Sequence, residues 1–340
     1  MTAYMKAMGI SRYHQDELET FTVPVPAISD DDEVLVQVHA ASVNPVDFKI
    51  RDGVLRLLIN YRMPIVLGFD FAGTVAQVGR AVTGFQVGDQ VYGLPRRTMI
   101  GTFAEFFAVK AEDIALKPRN LTFVEAASIP LVGLTTYQAF NELMRLQAGE
   151  RILVQAGAGG IGTFAIQLAR VMGAFVATTA SPAGKALVTR LGADLVIDYR
   201  EEDFWKVLAG YDCLYDVFGG KSLDEGFKIL RRGGRIVSLN GTPNARFGKV
   251  QHLGFLKTTA LRVASIPLTL REKRYGVTYD MIFVRPDSHQ LDILRGLYEE
   301  GRIVPVIDKV FPLGEAQKAL DYSQSGRAKG KIVLKVCAED

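Results

Sequence analysis

Arg151-Ile-Leu-Val-Gln-Ala-Gly-Ala-Gly-Gly-Ile-Gly162 joins an apolar run to a glycine cluster, and an apolar stretch of helical character follows it to Met172. The segment reads as a buried strand, a tight turn and a helix, with Phe175-Val-Ala-Thr-Thr-Ala180 as a second strand. A G-x-G-x-x-G spacing marks many ordinary turns, but between a strand and a helix it is the fingerprint of a dinucleotide site. Gly157 permits the tight turn, Gly159 lets the backbone approach a pyrophosphate, and Gly162 lets the helix lie close to the sheet. The first helical amides, at Gly160 and Ile161, then face the phosphate charge. The competing reading is a strand-turn-helix of some other α/β protein.

Outward from this centre, candidate strands at 151–155, 175–179, 195–198, 213–217 and 235–239 are separated by segments long enough for helices. That spacing predicts a doubly wound parallel sheet. Residues 275–284 offer a further strand whose apolar edge suits pairing across a homodimer. Upstream, to about residue 124, short strands and turns dominate. Val34-Leu-Val-Gln-Val38 alternates, Thr74-Val-Ala-Gln-Val78 follows a glycine, and turns recur at Gly79, Gly84 and Gly88-Asp89, a pattern that predicts a barrel-like β domain. A helix-prone segment, 123–140, is interrupted by Pro130 and Gly133. The tail offers helices at 288–300 and 314–322 and strands at 303–307 and 331–336, and it can return to complete the first domain. With 340 residues the chain exceeds one core, so two domains are expected.

The end of the second strand discriminates between nicotinamide cofactors. An NAD site places an acid there to hold both ribose hydroxyls. This chain has Ala177-Thr-Thr-Ala-Ser-Pro182 instead, with no carboxylate to repel a 2'-phosphate. Ser181 can donate a hydrogen bond to that phosphate, Lys185 can supply charge, and Tyr199 can add its phenol from the next strand end. Taken singly, Ser181 also reads as a helix cap, Lys185 as a solvated residue and Tyr199 as cover for the sheet edge. Together they point to NADP(H).

Composition narrows the function classes. The chain is 48% hydrophobic and 23% charged, with a net charge of +3 and no long basic block, so nucleic-acid binding gains no support. No apolar run is long enough for a membrane span. The most basic region, 257–274, has an amphipathic character. It reads as a membrane-surface helix or, more plainly, as a solvated face or a lid near an anionic cofactor; the expectation is no membrane partner. The opening Met1-Thr-Ala-Tyr-Met-Lys6 lacks an apolar signal, and the two cysteines, Cys213 and Cys337, both in candidate strands, suggest no disulfide scaffold. A cytoplasmic setting is expected.

Several further motifs occur in order: Ala41-Ser-Val-Asn-Pro-Val-Asp47, Gly68-Phe-Asp-Phe-Ala-Gly73, Val87-Gly-Asp89, Gly101-Thr-Phe-Ala-Glu105, Gly133-Leu-Thr-Thr-Tyr137 and Lys329-Gly-Lys331. With the glycine loop, they make the chain resemble, over nearly its whole length, the zinc-lacking quinone oxidoreductase and enone reductase branch of the medium-chain dehydrogenase/reductase superfamily. The resemblance implies a GroES-like β-barrel catalytic domain, 1–124 with 286–340, and an inserted Rossmann NADP-binding domain, 125–285, with the active cleft between them. It further implies that Asn44 contacts the nicotinamide-ribose region, that Thr135 is a nicotinamide-side contact and that Lys49 helps position the cofactor. Phe218, Asn240 and Gly241 resemble loops around the ribose and nicotinamide, and Lys329 and Lys331 are placed near the cofactor. On the residues alone, Asn44-Pro45 makes a good turn, Thr135 can cap a helix, and the lysines can be exposed charges.

Zinc chemistry is not expected. The early motif carries Asn44 and Asp47 without cysteine, and Phe69 stands where zinc enzymes of the superfamily commonly have histidine. His14, His39, His252 and His289 show no ligand spacing. The predicted reaction is hydride transfer from NADPH to a quinone or to the C=C bond of an α,β-unsaturated carbonyl, with a small planar electrophile as partner. Tyr61 and Tyr92 are possible proton donors, and Phe48, Tyr61, Met63 and Tyr92 a possible apolar wall; solvent can equally supply the proton. The alternatives are a zinc-dependent alcohol dehydrogenase and a low-turnover NADPH-binding structural or regulatory protein.

Overall fold

The structure is a computed structural model that describes residues 3–56 and 59–337. The chain forms two compact units, Met1–Leu134 with Arg285–Asp340, and Thr135–Val284. Residues 125–134, expected with the second unit, belong to the first. The helix-prone segment divides into Phe123–Ala127, capped by Thr122 accepting from the Glu125 amide, then Pro130–Gln138 and Ala139–Met144.

In the second unit, six strands lie side by side in the order Leu195–Asp198, Phe175–Ala180, Arg151–Val154, Tyr211–Asp216, Leu230–Ser238 and Thr278–Met281. Every neighbouring pair is parallel. This is the doubly wound order in which the first strand sits at the centre and the direction of winding reverses beside it, the place where such sheets bind ligands. The central strands are apolar because helices cover both faces. Leu153, Ala177, Leu214 and Ile236 pack with Tyr211, Phe227 and Tyr279 in one core. The helix Gly160–Val171 buries its whole run from Gly162 to Ala169. Thr278–Met281 forms the edge where 275–284 had suggested a strand.

The first unit is built on the long strand Glu33–Val43. It pairs antiparallel with Asp70–Val78, with Phe106–Lys110 and with Lys331–Lys335. Its inward residues Val34, Val36 and Val38 pack with Phe71, Val91 and Val109. The returning tail therefore completes this sheet, with Ile332 opposite Val43 and Lys335 opposite Ala40. The GroES-like β domain plus Rossmann architecture expected from sequence is the one observed. One tail strand lies further along than expected. Gly301, at φ 69°, ends the helix Ser288–Glu299, Ile303 anchors the crossing in the core, and strand pairing begins only at Ile307–Pro312.

Tyr92 belongs to this packing and is no site residue. It is fully buried, and its hydroxyl donates to the Leu291 carbonyl at 2.7 Å, so it cannot form part of an apolar wall or give up a proton. Tyr92→Phe should lower the unfolding free energy by about 1 kcal/mol, the net value of one buried hydrogen bond, with turnover unchanged. A urea titration checks the first outcome and a steady-state assay the second.

Candidate functional site

The glycine turn is held from both neighbouring strands. The Ala156 and Gly157 amides donate to Thr179 Oγ1 and O at 3.0 and 2.9 Å, and Thr178 Oγ1 donates to the Val154 carbonyl at 2.7 Å. Gln155 joins the central strand to its other neighbour: it receives the Val217 amide at 3.1 Å and donates to Ser222 Oγ at 2.9 Å. A β-carbon on Gly157 would strike Thr178 Oγ1, and one on Gly162 would strike the Ala156 carbonyl, with Gly157 Cα at 2.7 Å. Gly159 differs. Its backbone, φ −79° and ψ 171°, is open to any residue, and an added β-carbon would meet only the Ala156 carbonyl, at 3.3 Å. Little within the protein requires glycine there, which is what a close-lying external group would demand. The first helical bond runs from the Thr163 amide to the Gly159 carbonyl, so the amides of Gly160, Ile161 and Gly162 precede it and lack acceptors within the helix. The turn fits a pyrophosphate.

Ser181 sits at the N-cap of the helix Pro182–Arg190, yet its side chain makes no capping bond. Lys185 is exposed on the first turns of that helix. Ala180 lies opposite Asp198 in the parallel register, so Ser181 and Tyr199 leave the sheet at the same edge. Tyr199 is 58% exposed and lines a polar depression with Arg200, Lys206 and the acids Glu201, Glu202 and Asp203. Arg200 escaped the sequence reading; its charge stands next to Tyr199 at the edge where a 2'-phosphate would be distinguished.

Phe218, Asn240 and Gly241 come together at the ends of two adjacent strands. Asn240 Nδ2 donates to the Phe218 carbonyl at 3.2 Å. Gly219, at φ 69°, passes so close to the Asn240 carbonyl that a side chain is excluded. Beneath them the buried Asp216 accepts from the Gly219 amide at 3.1 Å and from Ser238 Oγ at 2.5 Å, and burial raises its pKa. Thr135 lies buried in the helix Pro130–Gln138.

In the first unit, the Asn44 motif closes into a buried polar network. Asp70 Oδ2 accepts from Ser42 Oγ at 2.5 Å, Asn44 Nδ2 at 2.8 Å and Lys331 Nζ at 3.2 Å, while its Oδ1 accepts the Leu131 amide at 2.6 Å. Lys331 Nζ also donates to Asn44 Oδ1 at 2.6 Å. Asn44 Nδ2 reaches the Ser42 carbonyl at 3.2 Å, so both ends of the amide are engaged inward. Lys331, expected at the cofactor, is 5% exposed and serves as the internal counter-ion of Asp70. Lys329, two residues earlier, is half-buried. Asn44 is thus held by partners that sequence spacing could not reveal.

Asp47 completes the cluster. Its Oδ2 accepts the Asn44 amide at 2.7 Å, whereas its buried Oδ1 has no hydrogen-bond partner. Burial pushes its pKa up to about 7; the Asn44 amide opposes that, and the charges of Asp70 and Lys331 pull in opposite directions. Because the folded-state pKa lies above the ordinary 3.8, the folded state holds the extra proton between those values. The resulting stability is full below pH 4 and is lost as pH rises through about 7. The stability difference between wild type and Asp47→Asn should therefore fall from pH 5 to pH 8; a flat difference in urea titrations would remove this account.

Tyr61 is poorly suited as an acid. Its hydroxyl donates to the Arg97 carbonyl at 2.8 Å, and burial raises its pKa well above the ordinary value. Lys49, in the helix Pro45–Arg51, is half-buried, and desolvation lowers its pKa. His39 stacks on Phe123 at a centroid distance of 4.2 Å and lies 3.1 Å from Thr74 Oγ1, a packing role. Among the described residues, no group of three or more His, Cys, Asp or Glu side chains is placed to hold a metal.

Residues 30–119 match the alcohol dehydrogenase GroES-like domain and residues 191–334 the zinc-binding dehydrogenase family. The chain is 33% identical to the mitochondrial NAD(P)H oxidoreductase RTN4IP1 of Bos taurus, over 98% of this chain and 89% of that protein. It is 36% identical to the chloroplastic NADPH-dependent alkenal/one oxidoreductase of Arabidopsis thaliana, over 92% and 74%. Among solved structures, the quinone oxidoreductase from Coxiella burnetii superposes with a TM-score of 0.84 at 31% identity, covering 98% of this chain and all of that one.

Proposed function

The chain belongs to the medium-chain dehydrogenase/reductase family, and from that premise we propose that it is an NADPH-dependent, zinc-independent oxidoreductase that reduces a quinone or the C=C bond of an α,β-unsaturated carbonyl. The observation that carries this reading is the second unit's glycine turn beside a strand end that has Ser181 in place of an acid. Relatives named for quinone and for alkenal/one reduction support the acceptor class.

NADPH, when bound, supplies the hydride and so carries the redox chemistry. The protein's part is to hold and orient. The amides of Gly160, Ile161 and Gly162 meet the pyrophosphate charge. Ser181, Lys185, Tyr199 and Arg200 together distinguish a 2'-phosphate from a bare ribose hydroxyl. Phe218, Asn240, Gly241 and Thr135 are proposed contacts for the ribose and nicotinamide, and Lys49 is proposed to help position the cofactor. Asn44 contributes by the rigidity its network imposes.

Zinc independence rests on the donor set. Asn44 and Phe69 offer neither thiolate nor imidazole, the soft and borderline ligands zinc prefers, and the positive charge that balances Asp70 is the Lys331 ammonium. The match to the zinc-binding dehydrogenase family covers residues 191–334 and does not include Asn44 or Phe69. With Tyr61 bonded to a carbonyl and its pKa raised, solvent is the proposed proton source after hydride transfer.

The test is a metal-free assay following NADPH and NADH consumption with a quinone, an enal, an enone and a saturated aldehyde, with product analysis. Turnover of the first three under chelation supports the reading; alcohol formed only after zinc addition defeats it, and tight NADPH binding without turnover would favour a non-catalytic role. Ser181→Ala/Lys185→Ala should lower kcat/KM for NADPH about tenfold, or about 1.4 kcal/mol, and leave NADH use unchanged. Equal loss with both cofactors would contradict the phosphate role.

A further inference from the structure

An amphipathic helix on a globular protein turns its apolar stripe inward and its charges outward. The helix Gly254–Ala264 turns its apolar stripe outward together with its charges. None of its residues is buried, and Phe255 and Leu256 are 83% and 82% exposed. At about 100° per residue, Leu256, Ala260 and Val263 fall in one line along the helix. Lys257 and Arg262 flank that line on its two sides, while the partly covered Thr258 and Leu261 occupy the opposite face. Exposed Val250 just before the helix, and Ile266 and Leu270 in the next helix, Ile266–Tyr275, extend the apolar surface.

The charge of this region is one-sided. Residues 245–275 carry Lys or Arg at seven positions and a single acid, Glu272. Glu272 is paired with Arg246, and Arg271 with Asp224, so the positive excess stands on the exposed Lys249, Lys257, Arg262, Lys273 and Arg274. An apolar stripe flanked by long basic side chains matches a surface whose interior is hydrocarbon and whose border is phosphate. We propose that this face docks on an anionic lipid bilayer, with Phe255, Leu256 and Val263 entering the headgroup boundary and Lys257 and Arg262 meeting the lipid phosphates.

Among the described residues, no helix is long and apolar enough to cross a membrane, so the association is peripheral. A second copy of this face would bring two positive surfaces together. A lid on an anionic cofactor would turn its cations inward and has no use for Phe255 and Leu256. The sequence alone favoured a solvated face or a lid near an anionic cofactor; the outward direction of the apolar stripe is what changes that reading.

The experiment is co-sedimentation of the full chain with phosphatidylcholine vesicles prepared with and without phosphatidylglycerol. Partition onto the anionic vesicles should be about tenfold stronger and should fall with added salt. Phe255→Ser/Leu256→Ser and Lys257→Glu/Arg262→Glu should each reduce it about tenfold, with thermal unfolding and NADPH consumption unchanged. Equal partition onto both vesicle types, or partition that survives both double variants, overturns the proposal. Self-association in sedimentation velocity that is lost in Phe255→Ser/Leu256→Ser, without vesicle binding by the wild type, overturns it in favour of a second copy.

Discussion

Lys331→Met should lower the stability of the first unit by about 3–5 kcal/mol, the loss expected when one partner of a buried ion pair is removed and the other is left behind. Lys331 and Asp70 are both buried, 3.2 Å apart. Without the ammonium, Asp70 keeps hydrogen bonds from Ser42, Asn44 and the Leu131 amide, but its charge has no counter-ion and Asn44 Oδ1 loses the donor at 2.6 Å. The methylene stem of methionine fills the space, so the loss reports charge and hydrogen bonding more than a cavity. A second variant separates the two. Lys331→Met/Asp70→Asn removes both charges while the amide oxygen at position 70 can still accept from its buried donors, and it should recover a large part of the loss, because most of the single variant's cost is the charge left without its partner. Urea midpoints at constant m-value give both numbers. A single-variant loss below about 1 kcal/mol would mean that water reaches the pair and that its burial is not what matters.

The same network shows where sequence reading ends. Its members are brought together by strand pairing: Lys331 and Asn44 are 287 positions apart, Lys331 and Asp70 261. A lysine beside a glycine reads as a solvent-facing charge until the antiparallel register Ile332 to Val43 is known. Tyr92 fails for a related reason. Its hydroxyl finds its partner 199 residues away, and a lone aromatic in a short strand gives no hint of that. The second unit was far more legible, since its information is local. Each strand–helix step carries its own apolar run and glycine, and Phe175–Ala180 and Leu195–Asp198 lie where the pattern put them. The helix Gly254–Ala264 falls between these cases. Periodicity identifies an amphipathic helix, yet the angle at which it is mounted comes only from packing, as when Thr258 lies against Gly248.

Gly159→Ala and Gly162→Ala should fail in different ways, and the contrast tests the glycine turn more sharply than either alone. At Gly162 the new β-carbon meets backbone, the Ala156 carbonyl and Gly157 Cα. Neither can retreat without opening the turn that Thr178 and Thr179 hold. Overpacking of this kind costs about 1–3 kcal/mol or more, so Gly162→Ala should lower the unfolding midpoint and NADPH affinity together. At Gly159 the same β-carbon has one protein neighbour at 3.3 Å and an ordinary backbone conformation. Fold stability should shift by less than about 1 kcal/mol, since relieving one slight contact needs only a small movement. NADPH affinity should nevertheless fall by about tenfold to a hundredfold, because the methyl group occupies space that the pyrophosphate needs next to the helix amides. Fluorescence titration with NADPH, paired with urea unfolding of each variant without cofactor, reads the two effects separately. If Gly159→Ala binds NADPH as tightly as the wild type, the pyrophosphate does not lie against this turn, and the cofactor assignment loses the observation that supports it.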